Sequence, residues 1–132
     1  MIIEINTLSQ SPIYEQLRDT IVLGIASGQL VPGEELPSVR RLAADLGINF
    51  HTVNKSYTML CDEGYIVMDR RKGAVVAMSM INCDDGFLPR LLQKLLLNAA
   101  EAVCHNLGEK EFITHCAAQY KIALGMNIKG GK

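Results

Sequence analysis

The chain has 132 residues, enough for one domain or for one domain with a small appendage. Hydrophobic residues make up 48% of it and charged residues 20%, which excludes a disordered composition. Because the formal net charge is only −1, any binding to nucleic acid must depend on local clusters of Lys and Arg.

The first predicted elements are a short strand and a helix. Ile3 and Ile5 alternate with polar residues, which is a strand pattern. Ser11 then suits the N-cap of a helix and Pro12 its first position, and Gly28 can end that helix. The start of the chain lacks the basic and long apolar parts of a signal peptide, and no apolar run is long enough to span a membrane. We therefore expect a cytoplasmic protein without a membrane partner.

Two short amphipathic segments flank the break Gly47-Ile48-Asn49 and predict a helix-turn-helix. Ser38 can cap the first helix, whose apolar residues share one side, so that Arg40 and Arg41 face outward. Asn49 can cap the second helix, and its buried side is formed by Val53, Tyr57 and Leu60. Outward residues recur at helical spacing on the opposite side: His51, Asn54, Lys55 and Thr58. Such a surface is typical of a helix that enters the major groove of DNA, with free N–H groups and Thr52 at its start available to a phosphate.

The next segment, YIVMDRRKGAVVAM, predicts a hairpin with a basic tip. Its two β-prone runs flank Asp69 to Gly73, and the tip places Arg70, Arg71 and Lys72 side by side. Three adjacent cations in a region of net negative charge favour a phosphate-binding patch over an ordinary soluble turn. Three helices followed by a basic hairpin are the order of a winged helix-turn-helix.

From Asp84 onward the pattern is entirely helical, with one long apolar helix and a shorter one from Glu109. The apolar residues of the long helix cover more than one of its sides: Leu88, Leu91, Leu92, Leu95, Leu96, Ala99 and Val103. On the shorter helix, we expect Phe112, Ile113, Cys116 and Tyr120 to face inward. Because two helices cannot cover this much apolar surface by themselves, we expect a symmetric dimer. The fold class is therefore α+β, with a winged helix-turn-helix domain over residues 1–80 and an all-α dimerisation tail over residues 81–132.

Other chemistry has little support in the sequence. The four cysteines form no CxxC pair, and free thiols are expected. Cys104-His105 and His115-Cys116 offer soft ligands, but their spacing matches no established metal site. No nucleophile–base pair, phosphate loop or paired carboxylates are present. We expect a protein that is not an enzyme and has no cofactor and no metal.

Several fixed motifs carry a family resemblance. They are PIYEQ at 12–16, GQL at 28–30, PG at 32–33, LPS at 36–38, and Thr52-Val53 followed by Tyr57, Leu60 and Gly64. Together they resemble the N-terminal domain of GntR-type bacterial transcription regulators over about residues 1–78. The helical tail of about fifty residues is similar to that of the short-tailed YtrA-type subfamily. This resemblance implies dimerisation through the tail and, for many members, repression of transporter operons. Larger relatives carry a separate effector domain, for which we expect no room in this chain, and the effector is unknown.

The resemblance also implies DNA-reading positions. The arginine of the family's second helix matches Arg40, and the start of its recognition helix matches Phe50, His51 and Thr52. One turn later come Asn54 and Lys55, and the wing tip matches Arg71, Lys72 and Gly73. Many relatives have Pro or Arg at the position of Phe50 and Gly at that of Arg71.

Two functions of different class remain open from the sequence. The first is a homodimeric, sequence-specific DNA-binding transcription regulator, a repressor that binds an inverted-repeat operator. The second is a winged-helix module that binds protein and not DNA. The cationic wing and the outward Arg40 favour DNA, whereas the net negative charge mildly favours the second reading.

Overall fold

The computed structural model describes residues 3–79 and 86–126. The chain forms two compact units, Met1–Met80 and Ile81–Lys132, and the boundary between them lies outside the described residues. In the described part of the chain, no helix combines the length and the apolar character needed to cross a membrane.

The strand predicted at the start of the chain is wrong for the described residues 3–6, which have no regular structure. A side chain occupies the backbone groups that a neighbouring strand would need. The amide of Asn6 donates to Oε1 of Gln16 at 2.9 Å, and Nε2 of Gln16 donates to the carbonyl oxygen of Asn6 at 3.0 Å. Ile3 and Ile5 are half-buried and pack against the core, which accounts for their apolar character.

Helix α1 spans Ile13–Ala26 and buries Leu17 and Ile21. It begins one residue later than predicted, because Pro12 and not Ser11 is its N-cap residue, without a side-chain cap. Gly28 follows the helix with a positive φ of 84° that favours glycine, as predicted.

Helices α2 and α3 form the predicted helix-turn-helix, at Val39–Leu46 and Phe50–Asp62. The side chain of Ser38 accepts a hydrogen bond from the amide of Arg41, and that of Asn49 accepts one from the amide of His51. Both predicted caps are confirmed, and each satisfies an amide that lacks a partner within its helix.

The wing is a two-stranded antiparallel hairpin, with β1 at Ile66–Asp69 and β2 at Gly73–Val76. The segment before α2 joins it through an isolated bridge between Glu35 and Val75. On either side of that bridge, the amide of Gly33 donates to the carbonyl oxygen of Val76, and the amide of Leu36 donates to that of Ala74. The wing is therefore anchored to the helix-turn-helix through main-chain hydrogen bonds.

The core of the first unit is mostly aliphatic and lies between the three helices and the wing. Its completely buried large side chains include Leu17, Val53, Leu60 and Ile66, each at most 1% exposed. Val53, Tyr57 and Leu60 are buried on α3 as the sequence predicted. Three helices and a small sheet around one core, followed by helices, make an α+β fold with a winged helix-turn-helix, as expected.

The second unit contains α4 at Phe87–Cys104 and α5 at Glu109–Ala123. At 100° per residue, the seven predicted dimerisation residues of α4 lie within one sector of about 140°, narrower than the several sides that the sequence suggested. No residue of α4 or α5, all of which the structure describes, is buried. Ile113 and Tyr120 are 55% and 70% exposed and Cys116 is also exposed, so the expectation that these three face inward is wrong for the single chain. Phe112 is half-buried.

Three of the cysteines are described, and all three are free thiols, while Cys83 lies outside the described residues. Burial and the nearby Asp62 raise the pKa of the Cys61 thiol, which lowers its reactivity at neutral pH. Within residues 3–79 and 86–126, no three His, Cys, Asp or Glu side chains are grouped in a way that could hold a metal ion.

Candidate nucleic-acid interface

Arg40, Phe50 and His51 form a continuous surface group across the helix-turn-helix. The guanidinium carbon of Arg40 lies 5.4 Å from the centroid of the Phe50 ring, within the range of a cation–π contact. The Phe50 and His51 rings are 5.6 Å apart and nearly perpendicular, at 87°. All three residues are exposed, so this group lies where α2 meets the start of α3 and is open to a partner.

The two neighbouring arginines of α2 differ in their partners. Nε of Arg41 lies 3.8 Å from a carboxylate oxygen of Asp45, one helical turn away, and both side chains are exposed. No carboxylate partner of Arg40 is found among the described residues, and its charge is directed to an aromatic ring. Arg40 is therefore the cation of this pair that is better prepared to meet an anion or a base edge.

Lys55, one turn further along α3, contacts a residue of α1. Its Nζ lies 3.9 Å from the centroid of the Tyr14 ring. Tyr14 is half-buried, and its ring forms part of the surface beside the recognition helix. Residues 41 positions apart meet here, and no local pattern in the sequence signals such a contact.

The start of α3 has fewer free donors than its position at a helix N-terminus suggests. The amide of His51 is taken by the side chain of Asn49 at 2.7 Å, and the amide of Thr52 donates to the main-chain oxygen of Asn49 at 3.0 Å. The expected binding of a phosphate by several free amides is therefore corrected. Asn54 is exposed and Thr52 is half-buried, so both remain accessible from this face.

Ser56 is a further residue of this region that the sequence did not single out. It is completely buried, and its hydroxyl donates to the carbonyl oxygen of Tyr14 at 2.7 Å and approaches that of Thr52 at 3.3 Å. The hydrogen bond to Tyr14 fixes α1 against the recognition helix. Ser56 lies three residues after Val53 and four before Leu60, so helical spacing places it on the buried side of α3, and this signal could have identified it.

The cationic wing tip is held by one carboxylate. Oδ1 of Asp69 accepts hydrogen bonds from the amides of Arg71 at 2.7 Å and Lys72 at 3.0 Å. These backbone donors, that of Lys72 foremost, lower the pKa of Asp69 below its usual value, so the carboxylate is ionised at neutral pH. Arg70, Arg71 and Lys72 are exposed. Gly73 starts β2 with φ of 80°, a conformation that favours glycine.

Three carboxylates of the first unit have partners close by. Arg18 contacts Asp19 at 2.9 Å and Glu63 at 2.8 Å, joining α1 to the end of α3. Oε1 of Glu34 accepts a hydrogen bond from the amide of Val31 at 3.0 Å. These carboxylates are therefore engaged by groups close to them.

Comparison with known proteins identifies the family. The family model described as bacterial regulatory proteins, gntR family, matches residues 10–76. The HTH-type transcriptional repressor YtrA of Bacillus subtilis is 30% identical over 134 residues, covering 98% of this chain and 97% of that protein. The chain belongs to the gntR family. The near full-length match to a YtrA-type regulator agrees with the resemblance found in the sequence.

Solved structures support the same family and fold. A crystal structure titled as a transcriptional antiterminator from Listeria monocytogenes superposes with a TM-score of 0.89 at 27% identity, covering 96% of each chain. YtrA from Sulfolobus acidocaldarius, titled as a GntR-family transcription factor, is 40% identical with a TM-score of 0.60. That match covers 77% of this chain and 99% of the other. As a member of the gntR family, the protein is a DNA-binding transcription regulator and not an enzyme. This decides against a module that binds only protein.

Proposed function

We propose that the protein is a homodimeric repressor that binds an inverted-repeat operator in the cytoplasm. Residues 1–80 contact the DNA and residues 81–132 hold the dimer together. The name of the Bacillus subtilis relative, a transcriptional repressor matched along nearly the whole chain, supports repression as the outcome of binding. The observation that supports the proposed dimer is the exposed apolar surface of the tail.

The proposed DNA contacts are of two kinds. In the major groove, α3 presents its exposed residues, while Arg40 reaches from α2 toward a base edge. Arg41 and the wing tip neutralise phosphates, which raises affinity without reading sequence. The proposed contact residues are Arg40, Arg41, Phe50, His51, Thr52, Asn54, Lys55, Arg70, Arg71, Lys72 and Gly73.

The dimer is supported by the exposure of large apolar side chains on α4. Leu88, Leu92, Leu96 and Val103 are each more than half exposed, and Leu91 and Leu95 are 37% and 38% exposed. A contiguous apolar stripe of this size is costly in water and is typical of an interface. A second copy of the chain supplies the same stripe, which a symmetric interface requires. The proposed interface residues are Leu88, Leu91, Leu92, Leu95, Leu96, Ala99 and Val103.

Sedimentation of the full-length protein tests the dimer and its location together. Leu95→Glu places a carboxylate in the middle of the stripe and should convert the dimer to monomer at micromolar concentration. Leu97→Glu is the matched control, because Leu97 lies on the opposite side of α4 and is 61% exposed. A monomeric wild type, or equal dissociation by both variants, would contradict the proposed interface.

Selection of genomic fragments by the purified protein tests the operator. Two symmetric recognition helices should yield an inverted repeat whose half-site centres lie about one helical turn, or a multiple of it, apart. The Leu95→Glu variant should keep weak half-site binding and lose most operator affinity, since the second half-site is no longer held close. A selected site without internal symmetry would argue against a symmetric dimer on DNA. Repression itself requires a reporter gene placed behind the selected operator.

A further inference from the structure

An aromatic residue at the first position of the recognition helix contacts the base-reading arginine of the preceding helix. Phe50 is 39% exposed and its ring receives the guanidinium of Arg40 at 5.4 Å. The His51 ring meets the Phe50 ring edge to face. Phe50 therefore contacts one neighbour on each helix of the helix-turn-helix and remains open to solvent.

This contact has a consequence for the mobility of Arg40. An exposed arginine loses considerable rotational freedom when it binds, and that loss reduces affinity. A ring that already holds the guanidinium in place reduces this loss of rotational freedom. Unlike a carboxylate, the ring does not neutralise the charge that the DNA would bind. The guanidinium of Arg41 instead lies beside a carboxylate, 3.8 Å from Asp45.

We propose that Phe50 is a specificity-determining residue with two roles, resting on the proposed reading of a base by Arg40. It positions the Arg40 guanidinium for a guanine, and its exposed edge contacts the 5-methyl group of a nearby thymine. Arginine pairs with the O6 and N7 acceptors of guanine, whereas an apolar side chain distinguishes thymine by its methyl group. The half-site thus contains a guanine and a neighbouring thymine that are read by one linked pair of side chains.

The test is selection from a pool of duplexes with a randomised segment, using the full-length protein and three variants. Phe50→Ala should weaken the preference for both bases. Phe50→Leu retains an apolar contact but no ring, so it should keep the preference for thymine and weaken the preference for guanine. Phe50→Tyr retains the ring and should keep both. Loss of the ring should reduce affinity for the selected duplex about two- to five-fold, as expected for an exposed cation–π contact.

Two further measurements separate positioning from a general structural effect. In an Arg40→Ala background, Phe50→Ala should reduce affinity for the selected duplex less than it does in the wild type, because the two residues act together. Replacing the thymine by deoxyuridine removes only the methyl group and should weaken wild-type binding about three- to five-fold. The same replacement should leave Phe50→Ala unaffected. Thermal unfolding of each variant monitors the fold.

The outcomes decide between this inference and the function on which it rests. If the wild type selects no sequence, both fall. If the wild type selects an operator but Phe50→Ala returns the same base preferences, the role of Phe50 is overturned and the regulator remains. Additive effects of Arg40→Ala and Phe50→Ala would overturn positioning, and equal sensitivity of wild type and Phe50→Ala to deoxyuridine would overturn the methyl contact.

Discussion

The phenol of Tyr57 donates a hydrogen bond of 2.7 Å to the carbonyl oxygen of Pro37. Tyr57 lies in the recognition helix and is 3% exposed, while Pro37 lies in the loop that precedes α2. The bond therefore fixes the recognition helix against the entry to the other helix of the motif. Tyr57→Phe should lower the free energy of unfolding by about 1 kcal/mol, since one partly buried hydrogen bond is removed. Urea unfolding at fixed protein concentration measures this, and an unchanged midpoint would show that the bond contributes nothing.

The same tyrosine gives a prediction at alkaline pH. Burial raises the pKa of Tyr57 to about 12 from an ordinary value of 10.0. Between these values the unfolded chain loses the proton and the folded protein keeps it, so the contribution of Tyr57 is complete below pH 10 and is lost as pH rises through 12. Wild-type stability should fall more steeply over this window than that of Tyr57→Phe. Tyr120→Phe, which removes an exposed phenol, should behave like the wild type.

Ser56→Ala should loosen the packing of α1 on the recognition helix. The substitution removes the buried hydroxyl and its hydrogen bond to the carbonyl oxygen of Tyr14. We expect a decrease in the free energy of unfolding of about 1 kcal/mol. Thr58→Ala, on the exposed side of the same helix, is the control and should have a smaller effect. If Ser56→Ala and Thr58→Ala lowered the free energy of unfolding equally, the hydrogen bond of Ser56 would not stabilise the packing of α1 on α3.

Arg40→Ala and Arg41→Ala should differ in what they remove. The first should cost about 1–3 kcal/mol on the selected operator and relax the preference at one base pair of each half-site. The second should weaken binding to operator and random duplex alike, as expected for a phosphate contact. Fluorescence anisotropy with both duplexes distinguishes these patterns. Uniform loss with Arg40→Ala would identify it as another phosphate contact.

Replacing Arg70, Arg71 and Lys72 together by Ala should lower affinity for every duplex. The slope of log affinity against log salt should fall by about 2 to 3, near 0.9 for each phosphate that is no longer neutralised. Unfolding should hardly change, because the three side chains are exposed. Lys110→Ala with Lys121→Ala in the tail is the charge control. A salt slope that equals the wild-type value would place the wing away from DNA.

Asp69 should determine the order of the wing tip. Asp69→Ala removes the acceptor of the Arg71 and Lys72 amides, so hydrogen exchange at both amides should accelerate. Asp69→Asn keeps an acceptor oxygen and should largely restore protection. For the wild type, the backbone donors lower the pKa of Asp69, so the acceptor stays ionised and protection should not change across neutral pH. Unchanged hydrogen exchange at the Arg71 and Lys72 amides in Asp69→Ala would contradict a role of Asp69 in ordering the wing tip.

The sequence predicted those features whose causes are local. Ser38 and Asn49 cap their helices because each side chain reaches an amide two or three residues away. The predicted strand at Ile3 and Ile5 is wrong because these two residues alternate only to pack against the core. The side chain of Gln16, ten residues from Asn6, bonds the amide and the carbonyl oxygen of Asn6 that a neighbouring strand would need. Alternation alone cannot tell these two situations apart.

The contacts within the candidate site were beyond prediction for a related reason. Arg40 and Phe50 were each singled out, but their contact depends on how α2 and α3 cross at the turn. Lys55 and Tyr14 meet only because α1 packs on α3. Residue type and spacing fix the outward faces of helices, whereas the pairs formed between helices follow from packing.

Main-chain hydrogen bonds join the loop before α2 to the wing, and this has a consequence for synthesis on the ribosome. Gly33, Glu34 and Leu36 find their main-chain partners in residues 74–76, about forty positions later. As the nascent chain emerges, α1 and α2 are complete before those partners exist, and the loop must remain hydrated until the hairpin has left the exit tunnel. Closing so long a segment carries an entropic cost that local helix formation does not. The DNA-binding unit therefore becomes complete only when its last strand has been made.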